Sequence, residues 1–148
     1  MNKKLTFLLA LTFLFLFSGS VFGQEEVKKE YWENGKLRSE THYKNGKKDG
    51  LTTLCSEDGR TGELEYKNGK LNGLKTTWYE HDSTRKRSRT RYKNGKKDGM
   101  AVEWYPSGRK KSTSHYKNDI ENGFRKEWDK SGKLIYQGNF VDGNEVIE

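Results

Sequence analysis

The chain is 148 residues long, with 29 Lys and Arg against 21 Asp and Glu, a formal net charge of +8 and a mean hydropathy of −1.13. Ordering each residue costs roughly 1–2 kcal/mol and buried apolar area must offset it, so an apolar fraction of 30% excludes a compact two-layer domain. A single cysteine, Cys55, excludes an intramolecular disulfide.

Residues 1–23 stand apart in composition. Lys3 and Lys4 precede an apolar run at residues 5–17, a short polar stretch comes next at 18–20, and Val21 and Gly23 supply compact residues before a cut. That order of charge, apolar core and cleavage region predicts a signal peptide removed between Gly23 and Gln24. The uninterrupted apolar part is shorter than the ~20 residues a spanning helix needs, so the expectation is an exported protein, periplasmic or secreted, and not a membrane-anchored one. Residues 24–30 form a charged lead-in to the rest of the chain.

From residue 31 to residue 144 the chain repeats. The string YKNGKKDG at residues 43–50 returns as YKNGKLNG at 66–73, YKNGKKDG at 92–99 and YKNDIENG at 116–123, and a truncated copy begins at Phe140. The leading aromatics are 23, 26, 24 and 24 residues apart. Between these strings lies a second recurring element, YWENGK, CSEDGR, WYEHDS, WYPSGRK and WDKSGK, in which Cys55 stands where other copies have Trp. Most units thus carry two turn signals, dipeptides such as Asn-Gly and Ser-Gly that tolerate the positive φ of tight hairpins. Nearly all the glycines fall at turn offsets, where they serve backbone geometry.

Between turns the residues alternate. Met100, Val102 and Trp104 point one way while Ala101, Glu103 and Tyr105 point the other, with Leu74, Thr76, Trp78 and Phe124, Lys126, Trp128 on the matching face of their own units. This is strand periodicity, and it predicts an all-β antiparallel meander of about ten strands with stacked Trp and Tyr ladders. Such a fold is quasi-one-dimensional: each unit is stabilised by its neighbours and needs little aliphatic mass. Residues 145–148 form a short C-terminal end.

The pairing of W-Y-x-x-G with Y-x-N-G-K-x-x-G at this spacing resembles the bacterial variant of the MORN repeat over residues 31–144. The resemblance implies an elongated, twisted, single-layer antiparallel sheet of hairpin repeats. Many similar proteins are labelled antitoxin components of toxin-antitoxin systems, which implies an antitoxin-like, partner-neutralising alternative. Eukaryotic MORN repeats imply scaffolding and phospholipid contact, although here Tyr-Lys-Asn-Gly-Lys replaces their Tyr-Glu-Gly core. The fourth copy departs from the others, with Asp119 where they have Gly46, Gly69 and Gly95. Trp-Tyr hairpins also resemble cell-wall choline-binding modules, which implies a glycan-binding alternative.

Nothing in the sequence assembles a catalytic or metal constellation. His42, His81 and His115 lie in different units with no H-x-E or C-x-x-C spacing, and Cys55 reads as a small apolar strand residue. Glu103 and Glu127 recur at equivalent positions, two strands or ~10 Å apart, on a surface that desolvates neither. The reading is non-enzymatic, without metal or cofactor, and no nucleic acid is expected for an exported chain. What recurs with chemical meaning is a basic ladder, Lys44 and Lys47, Lys67 and Lys70, Lys93 and Lys96, continued by Lys117, which should line one edge of the sheet. Arg85, Arg87 and Arg89 are expected to add a denser patch. That edge would suit a protein or an anionic membrane or envelope surface. Trp78, Tyr79, Trp104, Tyr105 and Trp128 are the candidate aromatic face, and the sheet ends offer a route to self-association.

Overall fold

The computed structural model describes residues 23–147, so all but the last residue of the predicted signal peptide lies outside the described residues. Twelve antiparallel strands form one sheet: β1 (Glu25–Tyr31), β2 (Leu37–Lys44), β3 (Lys47–Ser56), β4 (Gly59–Lys67), β5 (Lys70–Tyr79), β6 (Asp82–Lys93), β7 (Lys96–Trp104), β8 (Lys110–Lys117), β9 (Ile120–Glu121), β10 (Gly123–Trp128), β11 (Leu134–Val141) and β12 (Asn144–Val146). Strands adjacent in sequence pair with one another from end to end, with β9 and β10 both lying beside β8. The described residues contain no helix. The strand number exceeds the expected ten for two reasons. The lead-in read at residues 24–30 supplies most of β1, which pairs with β2 from Glu25↔Lys44 to Tyr31↔Leu37, and one strand is interrupted at Asn122.

Two edges of the sheet carry two kinds of turn. On one, Asn-Gly pairs hold left-handed conformations in two-residue hairpins, as at Asn45 (φ 51°) and Gly46 (φ 72°), where Lys44 faces Lys47 across the turn. Asp119 takes the glycine place at φ 72°; its main-chain N–H donates to Lys97 O, and its carboxylate accepts from Lys97 N. The opposite edge mixes two-residue turns, at 57–58 and 80–81, with longer ones such as residues 105–109, closed by Tyr105 N–H to Arg109 O.

A second set of glycines corrects the expectation that glycines mark turns. Gly50, Gly73, Gly99 and Gly123 lie beyond the hairpins, at irregularities where three residues of one strand face one of its partner. At Gly73 φ is +135°, and an added Cβ would stand 2.8 Å from the Cβ of Glu65. Only glycine fits there. The bulge lets each hairpin lean on the next: Gly69 N–H donates to Lys48 O, Gly95 to Leu71 O, Asp119 to Lys97 O and Gly143 to Glu121 O, at 2.7–2.9 Å.

The other edge is coupled by side chains. Trp32 Nε1 donates to Cys55 O at 3.2 Å, Tyr79 Oη to Trp104 O at 2.7 Å and Tyr105 Oη to Trp128 O at 2.9 Å. Lys36, Arg85 and Arg109 reach the carbonyls of Glu57, Pro106 and Lys130. Every such bond spans about one repeat, so each unit is tied to its neighbour at both ends of its strands.

Both faces of the sheet are solvated, and among the described residues no large side chain is fully buried. Register places Thr41, Thr52, Leu64 and Ser114 on one face with Tyr43, Tyr66, Tyr92 and Tyr116, hereafter the tyrosine face. Thr76 and Val102 lie on the other with Trp78, Trp104 and Trp128, the tryptophan face. These buried positions are between 3% and 9% exposed, and most are small hydroxyl residues. They lie in the middle of the strands, where neighbours on the same face cover a short side chain, so little aliphatic volume is needed.

Candidate functional site

The basic ladder is a feature of the tryptophan face at the Asn-Gly edge. Lys44 faces Lys47, Lys67 faces Lys70 and Lys93 faces Lys96 across successive turns, and Lys117 faces Ile120. All seven lysines are exposed. Lys44 pairs with Glu25 at 3.0 Å and Lys67 with Asp49 at 3.1 Å. Asp49 also accepts from the main-chain N–H of Asn68, and that bond, with Lys67 second, holds its carboxyl below the usual range.

One row further in, on the same face, register lines up Val27, His42, Leu51, Glu65, Leu74, Arg91, Met100, His115, Phe124 and Asn139. The apolar members sit on alternate strands and stand open: Val27 is 41% exposed, Leu51 39%, Met100 51% and Phe124 56%. A lysine row thus borders a row in which apolar side chains, all but Leu74 exposed, alternate with His42, Glu65, Arg91, His115 and Asn139. Sequence reasoning alone does not pick out this row, although its signal is present as the apolar residue after each bulge glycine.

The arginine segment does not join the ladder. Arg85 lies at the far end of β6, bound to Asp82 and to Pro106 O. Arg87 is the extra residue of an irregularity facing Trp78 and lines a cavity on the tyrosine face. Arg89 faces Thr76 on the tryptophan face. Arg85, Arg87 and Arg89 are two residues apart and would share one face of a regular strand, but the irregularity at Arg87 turns that side chain to the opposite face from Arg89, so the expected dense patch is dispersed.

The aromatic set divides in the same way. Trp78, Trp104 and Trp128 lie on the tryptophan face, where the guanidinium of Arg60 sits 5.0 Å from the Trp78 ring centroid. Tyr79 and Tyr105 lie on the tyrosine face, half-buried, with hydroxyls committed to Trp104 and Trp128. They are inter-repeat ties before they are stacking platforms.

The tyrosine face holds three cavities in series. The first, of about 310 Å³, is lined by Trp32, Arg38, Thr41, Tyr43 and Thr52 among others; the second, of about 490 Å³, by Lys75, Thr77, Tyr79, Arg87 and Ser88; the third, of about 340 Å³, by Tyr105, Ser112, Ser114, Arg125 and Glu127. Glu103 and Glu127 stand in one row with Ser112 between them, about 10 Å apart by strand spacing. Each is matched to a cation, Glu103 with Lys111 at 3.1 Å and Glu127 with Arg125, and these bonds raise the pKa of both bases. Among the described residues no three His, Cys, Asp or Glu side chains gather as metal ligands. His42 approaches Glu40, His81 Asp58 and His115 the carbonyl of Phe124, at separate places. Burial pushes the Cys55 thiol up, away from the reactive thiolate.

The model of the MORN repeat variant family matches residues 27–45, 97–118 and 121–142. The first match covers most of the β1–β2 hairpin and its Asn-Gly turn, the second β7 and β8, the third β9 to β11. The three matched segments are therefore similar to MORN repeats, and each is built from antiparallel β-strands. MORN repeats suggest a repeat protein for binding or interaction. Comparison with curated proteins finds no match.

Proposed function

We propose that the protein is a non-enzymatic, exported scaffold that lays the lysine-lined part of its tryptophan face against an anionic envelope surface, with phospholipid as the first such surface to test. The observation that carries this reading is the shared face: the exposed lysines and the row containing Leu51, Met100 and Phe124 point the same way. A basic residue near an anionic lipid surface contributes about 1 kcal/mol, and contacts repeated along an array add as long as all can engage together. The apolar row supplies what salt does not screen. The leader at residues 1–23 supports export and sets this reading against a cytoplasmic antitoxin role.

The test is sedimentation of the purified protein with vesicles containing anionic phospholipid, at low and high salt. Pelleting that weakens with salt, and that collapses when Lys44, Lys47, Lys67, Lys70, Lys93 and Lys96 are all changed to Gln, is the expected result. Unchanged pelleting of that variant would remove the ladder from the mechanism, and no pelleting at all would turn the search toward a protein partner.

A further inference from the structure

The tyrosine face offers chemistry that the lysine ladder does not use. Its floor is made of hydroxyls: Thr41, Thr52 and Ser114 are nearly buried, and Thr77 and Ser88 share a 2.7 Å hydrogen bond. Tyr79 and Tyr105 border it with rings that cannot swing, because each hydroxyl is anchored to the main chain of the following hairpin. A ring already fixed loses no rotamer freedom when a flat partner stacks on it. Equivalent places recur every two strands, about 9.6 Å, which is close to the length of a disaccharide unit in an extended glycan.

Charge distinguishes the middle of this groove from its ends. In the third cavity Arg125 is taken up by Glu121 and Glu127. In the second, Glu103 is engaged by Lys111, and Glu80 also lines the cavity, but Lys75 and Arg87 have no acidic partner within ion-pair distance among the described residues, so cations outnumber carboxylates there. Two cations facing hydroxyls and a fixed aromatic ring suit a carboxylate carried on a sugar. A peptide fits less well. The β-strand mode of capture needs a free sheet edge, and these strands are paired on both sides.

We propose that the tyrosine face binds a linear, carboxylate-bearing polysaccharide laid across the strands, with one carboxylate held by Lys75 and Arg87 and the neighbouring sugar rings against Tyr79 and Tyr105. The glycan and the anionic lipid surface use opposite faces of the sheet, so either can fail without the other.

Isothermal titration of the purified protein with hyaluronan oligosaccharides, which carry one carboxylate per disaccharide, tests this directly. Neutral cello-oligosaccharides of equal length and polyglutamate serve as comparisons. The expected result is binding of the acidic glycan alone, weakened at least about tenfold in the double variant Lys75→Gln, Arg87→Gln and unchanged in the variant carrying Gln at the six ladder positions. Circular dichroism identical to the parent confirms that the double variant is folded; should it not fold, Arg87→Gln alone, at an exposed position, carries the test. Absence of hyaluronan binding, equal binding by the folded variant, or polyglutamate binding as tight as the glycan would overturn the proposal.

Discussion

The two edges of the sheet solve one problem with different materials. At the Asn-Gly edge, neighbouring repeats are joined by main-chain bonds such as Gly95 N–H to Leu71 O, reached because a bulge glycine lets the hairpin lean. At the opposite edge they are joined by side chains, Tyr79, Tyr105, Arg85 and Arg109 among them. Main-chain coupling leaves side chains unconstrained apart from the glycine, so the lysines there are available for other work. Side-chain coupling commits the polar ends of the residues that make it. The tyrosine of the recurring Trp-Tyr pair is therefore explained by cohesion between repeats.

Removing a whole unit tests this most severely. Deletion of residues 92–115 joins equivalent positions of neighbouring repeats, and should leave a shorter protein that melts cooperatively at a lower temperature, by circular dichroism; a chain without β signal would break the repeat picture at both edges. Next in size is Gly73→Ala, which forces a side chain into φ +135° against Glu65 and should cost about 2–3 kcal/mol in urea unfolding. A loss below half that figure would mean the bulge is dispensable to the main-chain coupling. At the other edge, Tyr105→Phe keeps the ring and removes one bond to Trp128 O, for about 1 kcal/mol by the same measurement. No change would reduce that tie to geometry without energy.

The smallest effect is in acid. Asp49 at one edge is lowered by the Asn68 N–H and Lys67; Asp129 at the other is lowered chiefly by the hydroxyl of Ser131. A depressed carboxylate adds stability above its unfolded pKa and loses it as pH falls through the folded one, so melting temperature should decline below the usual carboxylate range. Asp49→Asn should flatten that decline slightly, and an unaltered acid limb would show that Asp49 contributes nothing across repeats.

Much of this architecture is legible in the sequence. The recurrence of YKNGK locates the hairpins at the Asn-Gly edge, and alternation sets Trp104 and Tyr105 on opposite faces. The bulges are not legible, because Asp-Gly and Asn-Gly mean tight turn and mid-strand irregularity alike, and only register separates Gly46 from Gly50. Nor are the ties between Tyr79 and Trp104, whose partners are 25 residues apart and meet through the lean of one hairpin on the next. Arg85 and Arg87 escape the pattern because the longest interval of the repeat puts its additional residues between Tyr79 and Lys86, beyond the reach of simple counting.

The end-to-end order of the sheet has a mechanical consequence. Every interstrand bond runs along the axis of the array, so a pull on the first and last strands would load these bonds one ladder at a time and peel the molecule like a zipper. Each unit released would let out about 24 residues, roughly 80 Å of extended chain. The hydroxyl and guanidinium ties across neighbouring turns would set the force of each step, and the unit with the fewest ties would yield first.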